Sequence, residues 1–191
     1  MRTVRQSAPA GLLILLTALA APLSVRADSA TARAETALLH RRLDLRSVRT
    51  FDPSSGRTSP YQPSSAPLRV IHLWAVECAP CIAEMPMLRN LINGWRNEPG
   101  VQFLLISETL DQEKLRQFWQ RAADKVPQVP ALYQSTDDRL RDGLQTGAQP
   151  LTLLVDSDWV IRQAFVGSLL ERTAEFAAST ARLLAAVQHR K

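Results

Sequence analysis

Cys78 and Cys81 are the only cysteines in this 191-residue chain, and they stand three positions apart. A dithiol at that spacing can alternate between a disulfide and two thiols, exchanging electrons through a mixed-disulfide intermediate. As a structural staple it is poor, because closing so small a loop removes little entropy from the unfolded chain. Two buried inert thiols or half of a metal site are the other readings. Zinc asks for about four ligands. Beyond the cysteines the chain offers His40, His72 and His189, the first near the N-terminus and the last in the final turn.

Redox work needs one accessible thiol of low pKa and one resolving partner. Residues 68–76 form an apolar run broken by Arg69 and His72, as in a central strand covered on both faces. Ile82, Met85, Leu88, Ile92 and Trp95 then recur at helical steps. Cys78 therefore falls where strand gives way to helix, facing the unpaired N–H groups and positive dipole end that favour a thiolate. Pro80 suits the first helical turn, and Pro86 places a kink inside the helix. Cys81, one turn in, is the more buried resolving thiol. Strand, Cys-x-x-Cys, helix is the context in which the motif is redox-active.

The remaining elements follow by pattern. A short helix is expected at 34–40 and a strand at 43–51. A turn at 52–56 then opens an N-terminal β-hairpin extension, and a proline- and serine-rich surface loop spans 59–67. A strand at 101–107 precedes a helix capped by Thr109 and Gln112. A short segment at 131–134 and a brief helix at 136–145 come next. Strands at 151–156 and 160–166 form a hairpin about Ser157-Asp158. A last helix, capped by Ser168 and Glu171, runs to Gln188. Parallel strands joined through helices require right-handed crossovers, so the fold class is α/β, a mixed central sheet flanked by helices.

Residues 2–26 carry Arg2 and Arg5 ahead of an apolar core at 11–23 and a small-residue site at Val25-Arg26-Ala27. That is the pattern of an export signal, and the core is short of the ~20 residues of a spanning helix. An uncleaved anchor is the alternative. The expected division is a signal segment at 1–27, a linker at 28–42 and one domain at 43–191, exported to a bacterial periplasm. Without the signal, 20 basic residues face 18 acidic ones, against a net charge of +5 for the whole chain. A near-balanced chain with no clustered basic face makes no case for nucleic acid.

Trp74-Ala75-x-x-Cys78-x-Pro80-Cys81 resembles the thioredoxin superfamily. Cys81-x-x-Glu84-Met85-Pro86 resembles its exported TlpA/ResA/DsbE-type branch, and 147–156 is similar to the segment carrying that fold's cis-proline. The resemblance covers about residues 43–187. It implies a thioredoxin-like fold and a thiol–disulfide oxidoreductase that needs no cofactor beyond its own dithiol. Cys78 is then the nucleophile, Cys81 the resolver, Pro150 the cis-proline and Glu84 an acid that moves the resolving thiol's proton. The implied partners are envelope proteins bearing disulfides or thiols, apocytochrome c among them, and a membrane thiol reductase of the DsbD/CcdA kind.

Three positions depart from the family pattern. His72 stands where thioredoxins bury an acid and this branch often has a polar amide; it is either a proton relay or a hydrogen-bonded core residue. Glu77 replaces a residue that is commonly aromatic, and a carboxylate there opposes the helix dipole by raising the thiol's pKa. Ala79 leaves the central dipeptide without a diagnostic charge. Trp74 is a docking or a core aromatic. A soft copper site on the two thiols, and an oxidase or isomerase, are the rival functions.

Overall fold

The computed structural model describes residues 23–95, 97–127, 129–134 and 139–188. Residues 1–22, which hold the n-region and nearly all of the apolar core of the expected export signal, lie outside them. The elements, in chain order, are α1 (Leu23–Leu38), β1 (Val48–Phe51), β2 (Thr58–Pro60), β3 (Leu68–Trp74) and α2 (Ala79–Trp95). There follow β4 (Val101–Ser107), α3 (Gln112–Arg121), β5 (Ala131–Gln134), α4 (Arg139–Leu144), β6 (Leu151–Asp156), β7 (Ile161–Val166) and α5 (Thr173–Gln188). Among the described residues no helix is long and apolar enough to cross a membrane.

The seven strands form one mixed sheet in the order β2-β1-β5-β4-β3-β6-β7. β3, β4 and β5 run parallel, and β6 lies antiparallel to β3 with β7 beyond it. Every residue of β3 and of β6 is buried, as the unbroken apolar runs require of central strands. On one face Val70, Trp74 and Leu154 pack with Met85, Leu88 and Ile92 of α2 and with Phe176 and Leu184 of α5. On the other, Ile71, Leu73, Leu104 and Leu153 meet Leu38 of α1 and Leu140 and Leu144 of α4. Burying one such leucine or isoleucine stabilises the domain by about 1.5–3 kcal/mol.

The N-terminal hairpin is present: β2 pairs antiparallel with β1 at the sheet edge, and the serine-rich stretch lends it Thr58–Pro60. Proline is tolerated there because an edge strand need not donate on its outer side. The expected strand at 43–51 begins only at Val48, since Leu43 turns away to bond the Trp159 carbonyl. Residues 28–42, expected as a linker, are helical to Leu38 and packed on β7.

Two expected caps are misplaced. Asp111, not Thr109, caps α3 by accepting from Lys114 N. α5 starts at Thr173, leaving Ser168 outside it. Both displaced hydroxyls are used in the site instead.

Candidate active site

β3 ends at Trp74, and a tight turn delivers Cys78 to the residue before α2. The turn is held by a bond from Cys78 N to Ala75 O and by Val76 N donating to Thr109 Oγ1 at 2.8 Å. Cys78 and Cys81 form a disulfide with their Cα atoms 5.2 Å apart. Cys78 is half-buried, whereas Cys81 is fully enclosed at 0% exposure. The Cys81 N–H points at Cys78 Sγ, 3.2 Å away. In the reduced state that donor and the helix end favour charge on Cys78, the accessible sulfur.

The Gln149-Pro150 peptide bond is cis. Leu73 pairs with Leu151 in the β3–β6 register, so Pro150 stands across from Trp74, at the sheet end that carries the dithiol. Its carbonyl accepts from Gly167 N at 2.9 Å. Gly167, at φ +88°, turns the chain out of β7 in a conformation that side-chain-bearing residues rarely adopt. The approach to Pro150 is braced by Glu108, whose carboxylate accepts from both Arg141 Nε and Nη2 and from Gln149 Nε2. Arg141 also donates to the carbonyls of Thr146 and Ala148.

Glu84, one turn beyond Cys81 on α2, is wholly buried. Its Oε2 accepts from Ser168 Oγ at 2.7 Å and from Leu169 N at 2.8 Å. Oε1 lies 3.3 Å from Nε2 of His72, which is also buried. The opposite ring nitrogen, Nδ1, is 2.9 Å from Thr152 Oγ1. Burial pushes the Glu84 carboxyl up, although the bonds from Ser168 and Leu169 oppose it. Burial pushes His72 down to about 3. The two groups thus both lean to their neutral forms.

Glu77 projects into solvent next to the nucleophile, where it accepts from Thr109 Oγ1 and from Lys114 Nζ. Trp74 is a core residue, enclosed by Phe118 and Trp119 at ring distances of 5.1 and 6.1 Å. The structure therefore gathers Cys78, Cys81, Glu84, His72, Glu77 and Pro150 at one end of the sheet. Thr109, Thr152, Ser168, Lys114 and the Glu108–Arg141 pair were missed in the sequence. Leu110, next to Thr109, and Leu170, two residues beyond Ser168, are exposed at 66% and 49%. Among the described residues no three His, Cys, Asp or Glu side chains converge as a metal site would need.

A half-exposed cysteine ahead of a helix, a buried partner one turn in and a cis-proline at the same sheet end define a thioredoxin-like fold. Solved structures agree. A Chlorobium tepidum structure provisionally named thiol:disulfide interchange protein DsbE matches with a TM-score of 0.58 at 13% identity, over 76% of this chain and 99% of that one. A thioredoxin-like protein from Porphyromonas gingivalis gives 0.58 at 19% identity, over 77% and 94%. The thioredoxin domain of a thiol-disulfide oxidoreductase from Bacteroides vulgatus gives 0.54 at 15%, over 71% and 96%. No family model matches the sequence, and no curated protein is significantly similar to it.

Proposed function

We propose that this chain is an exported thiol–disulfide oxidoreductase that reduces disulfides of envelope proteins. One observation carries the reading. Cys78 is accessible and receives the Cys81 N–H, while Cys81 is sealed beneath it, so the two sulfurs are already divided into attacker and resolver. In the reduced protein the Cys78 thiolate attacks a substrate disulfide, forming a mixed disulfide and releasing one substrate thiolate. Cys81 loses its proton to Glu84, on the same helix face three residues on, and attacks Cys78. The second substrate thiol leaves, and the enzyme ends in the disulfide form described above. Electrons return from a membrane thiol reductase of the DsbD/CcdA kind.

Leu110, beside the Thr109 that holds the Cys78 turn, and Leu170, beside the Leu169 that holds Glu84, are exposed apolar side chains for a substrate chain to contact. Export to the periplasm is supported by the basic and apolar pattern of residues 2–26. The likeness to the Chlorobium thiol:disulfide interchange protein is in keeping with a disulfide-interchange role, and the Cys81-x-x-Glu84-Met85-Pro86 resemblance extends that role to cytochrome c maturation. Variants test the reading. Cys81→Ser traps mixed disulfides through Cys78, and Cys78→Ser traps few or none; equal trapping by both overturns the assignment. The reduction potential of the dithiol then fixes the direction of electron flow, a reductant lying well below an oxidase or isomerase.

A further inference from the structure

The geometry points to His72 as a positioning residue that shares one proton with Glu84 and so sets the strength of the base that serves Cys81. This rests on the dithiol reading above and concerns only its resolving step.

Two of the four polar atoms on the two side chains are occupied. Glu84 Oε2 is fixed by Ser168 and Leu169, and His72 Nδ1 by Thr152. Glu84 Oε1 and His72 Nε2 are buried, have no hydrogen-bond partner among the described residues, and face each other at 3.3 Å. Two lone pairs left opposed in a dry interior are costly, so a proton belongs between them. Other groups around the pair do not take that place. From α2 the titratable neighbour is Cys81. From β4 and β6 come Leu105 and Thr152, both neutral and opposite His72 in the sheet. From the connection after β7 the charged groups are Glu171, which is exposed, and Arg172, whose charge is matched by Glu35 and Glu175.

The pair has two states that differ by one proton. In the first, His72 Nε2–H donates to the Glu84 carboxylate, and the Thr152 hydroxyl donates to Nδ1. When Cys81 attacks the mixed disulfide, its S–H proton moves to Oε1. The Cys81 electron pair forms the new S–S bond, and the substrate sulfur departs as a thiolate. The pair then re-equilibrates with solvent, Nε2 giving up its proton and Nδ1 taking one as the Thr152 hydroxyl rotates. In the second state, therefore, Oε1–H donates to Nε2 and Nδ1–H donates to Thr152 Oγ1. An imidazole can be either donor or acceptor toward Oε1, so it supports both states. An asparagine amide offers Oε1 a strong donor but only a weakly basic acceptor, so it favours the carboxylate and makes Glu84 a poorer base.

The test is stopped-flow mixing of the reduced full chain with a chromogenic aryl disulfide. The first aryl thiolate reports attack by Cys78, and the second reports resolution by Cys81. With His72→Asn the first phase is unchanged, while the second slows roughly three- to tenfold near neutral pH. Its pH midpoint and that of the Glu84 13Cδ signal fall together by ~1 unit. A second phase and a Glu84 midpoint identical to wild type overturn the inference. Absence of the first phase in wild type overturns the dithiol reading instead. Should His72→Asn not fold, the wild-type His72 15N shifts decide. Movement at the Glu84 midpoint upholds the shared proton, and shifts that ignore it overturn it.

Discussion

Lys114 Nζ lies 2.8 Å from Glu77 Oε1, so the carboxylate next to the nucleophile is a compensated charge. The lysine's hydrogen bond holds the Glu77 carboxyl below its usual range, and Glu77 in turn raises the lysine. Both side chains are about half exposed, which screens their effect on the sulfur. Replacing Lys114 with Gln leaves Glu77 uncompensated and raises the Cys78 thiol pKa. Glu77→Gln lowers it, and the double variant returns close to Glu77→Gln. Ultraviolet thiolate absorbance against pH checks the signs. No change with Glu77→Gln, or a rise, rules the coupling out.

The buried pair also sets how stability depends on pH, with opposite signs on its two members. Glu84 is raised, so its contribution is intact below the ordinary carboxyl value of 4.5 and is lost as pH rises through the folded value. His72 is lowered from 6.5 to about 3, so its contribution is intact above 6.5 and is lost as pH falls toward 3. Glu84→Gln therefore gains on wild type as pH rises above 4.5. His72→Asn gains on wild type as pH falls from 6.5, by up to a few kcal/mol. Urea unfolding of the oxidised proteins across pH 3–9 measures both. Parallel stability curves for wild type and variant defeat the corresponding assignment.

The bidentate Glu108–Arg141 pair governs the segment before the cis-proline without touching either sulfur. Arg141→Ala frees the carbonyls of Thr146 and Ala148, next to the cis-proline, and among the described residues leaves the Glu108 carboxylate held by Gln149 alone. Reduction of a protein disulfide should lose roughly 10- to 100-fold in kcat/KM, the equivalent of one or two charge-assisted bonds. Alkylation of Cys78 by a small reagent should hold its wild-type rate. A loss shared equally by both reactions would assign the pair to general stability.

The legible part of the molecule was the part written in periodicity. β3, β4 and β6 announced themselves as apolar runs, and the five residues from Ile82 to Trp95 traced one face of α2. Cys78 and Pro150 were found because a strand-to-helix junction and a short motif fix their places along the chain. What escaped was pairing across the chain. Ser168 and Thr109 carry ordinary capping residue types, and only the tertiary structure diverts their hydroxyls to Glu84 and to the Cys78 turn. His72 was ambiguous for the same reason: strand position gave its burial but not the acid facing it from α2. The packing of α1 on β7 escaped likewise, because its anchor Glu35 finds its partners far along the chain.

That anchorage reaches the site. Glu35 of α1 accepts from Val166 N at 2.9 Å and pairs with Arg172 at 2.5 Å. Its two partners bracket the connection from which Ser168 and Leu169 hold Glu84. Arg172 is further positioned by Glu175 and lies over the Phe165 ring, 4.9 Å from its centre. Glu35→Ala leaves a half-buried N–H and a half-buried guanidinium short of a partner, which costs about 1–3 kcal/mol of stability. Glu35→Gln keeps an acceptor for Val166 N and loses only the charge, so its cost is smaller. Because the connection loosens, the Ser168 and Leu169 bonds weaken in Glu35→Ala, and the Glu84 carboxyl moves further up. Urea unfolding gives the first effect and the Glu84 13Cδ titration the second. A destabilised Glu35→Ala whose Glu84 titrates as in wild type would confine α1 to a role in stability.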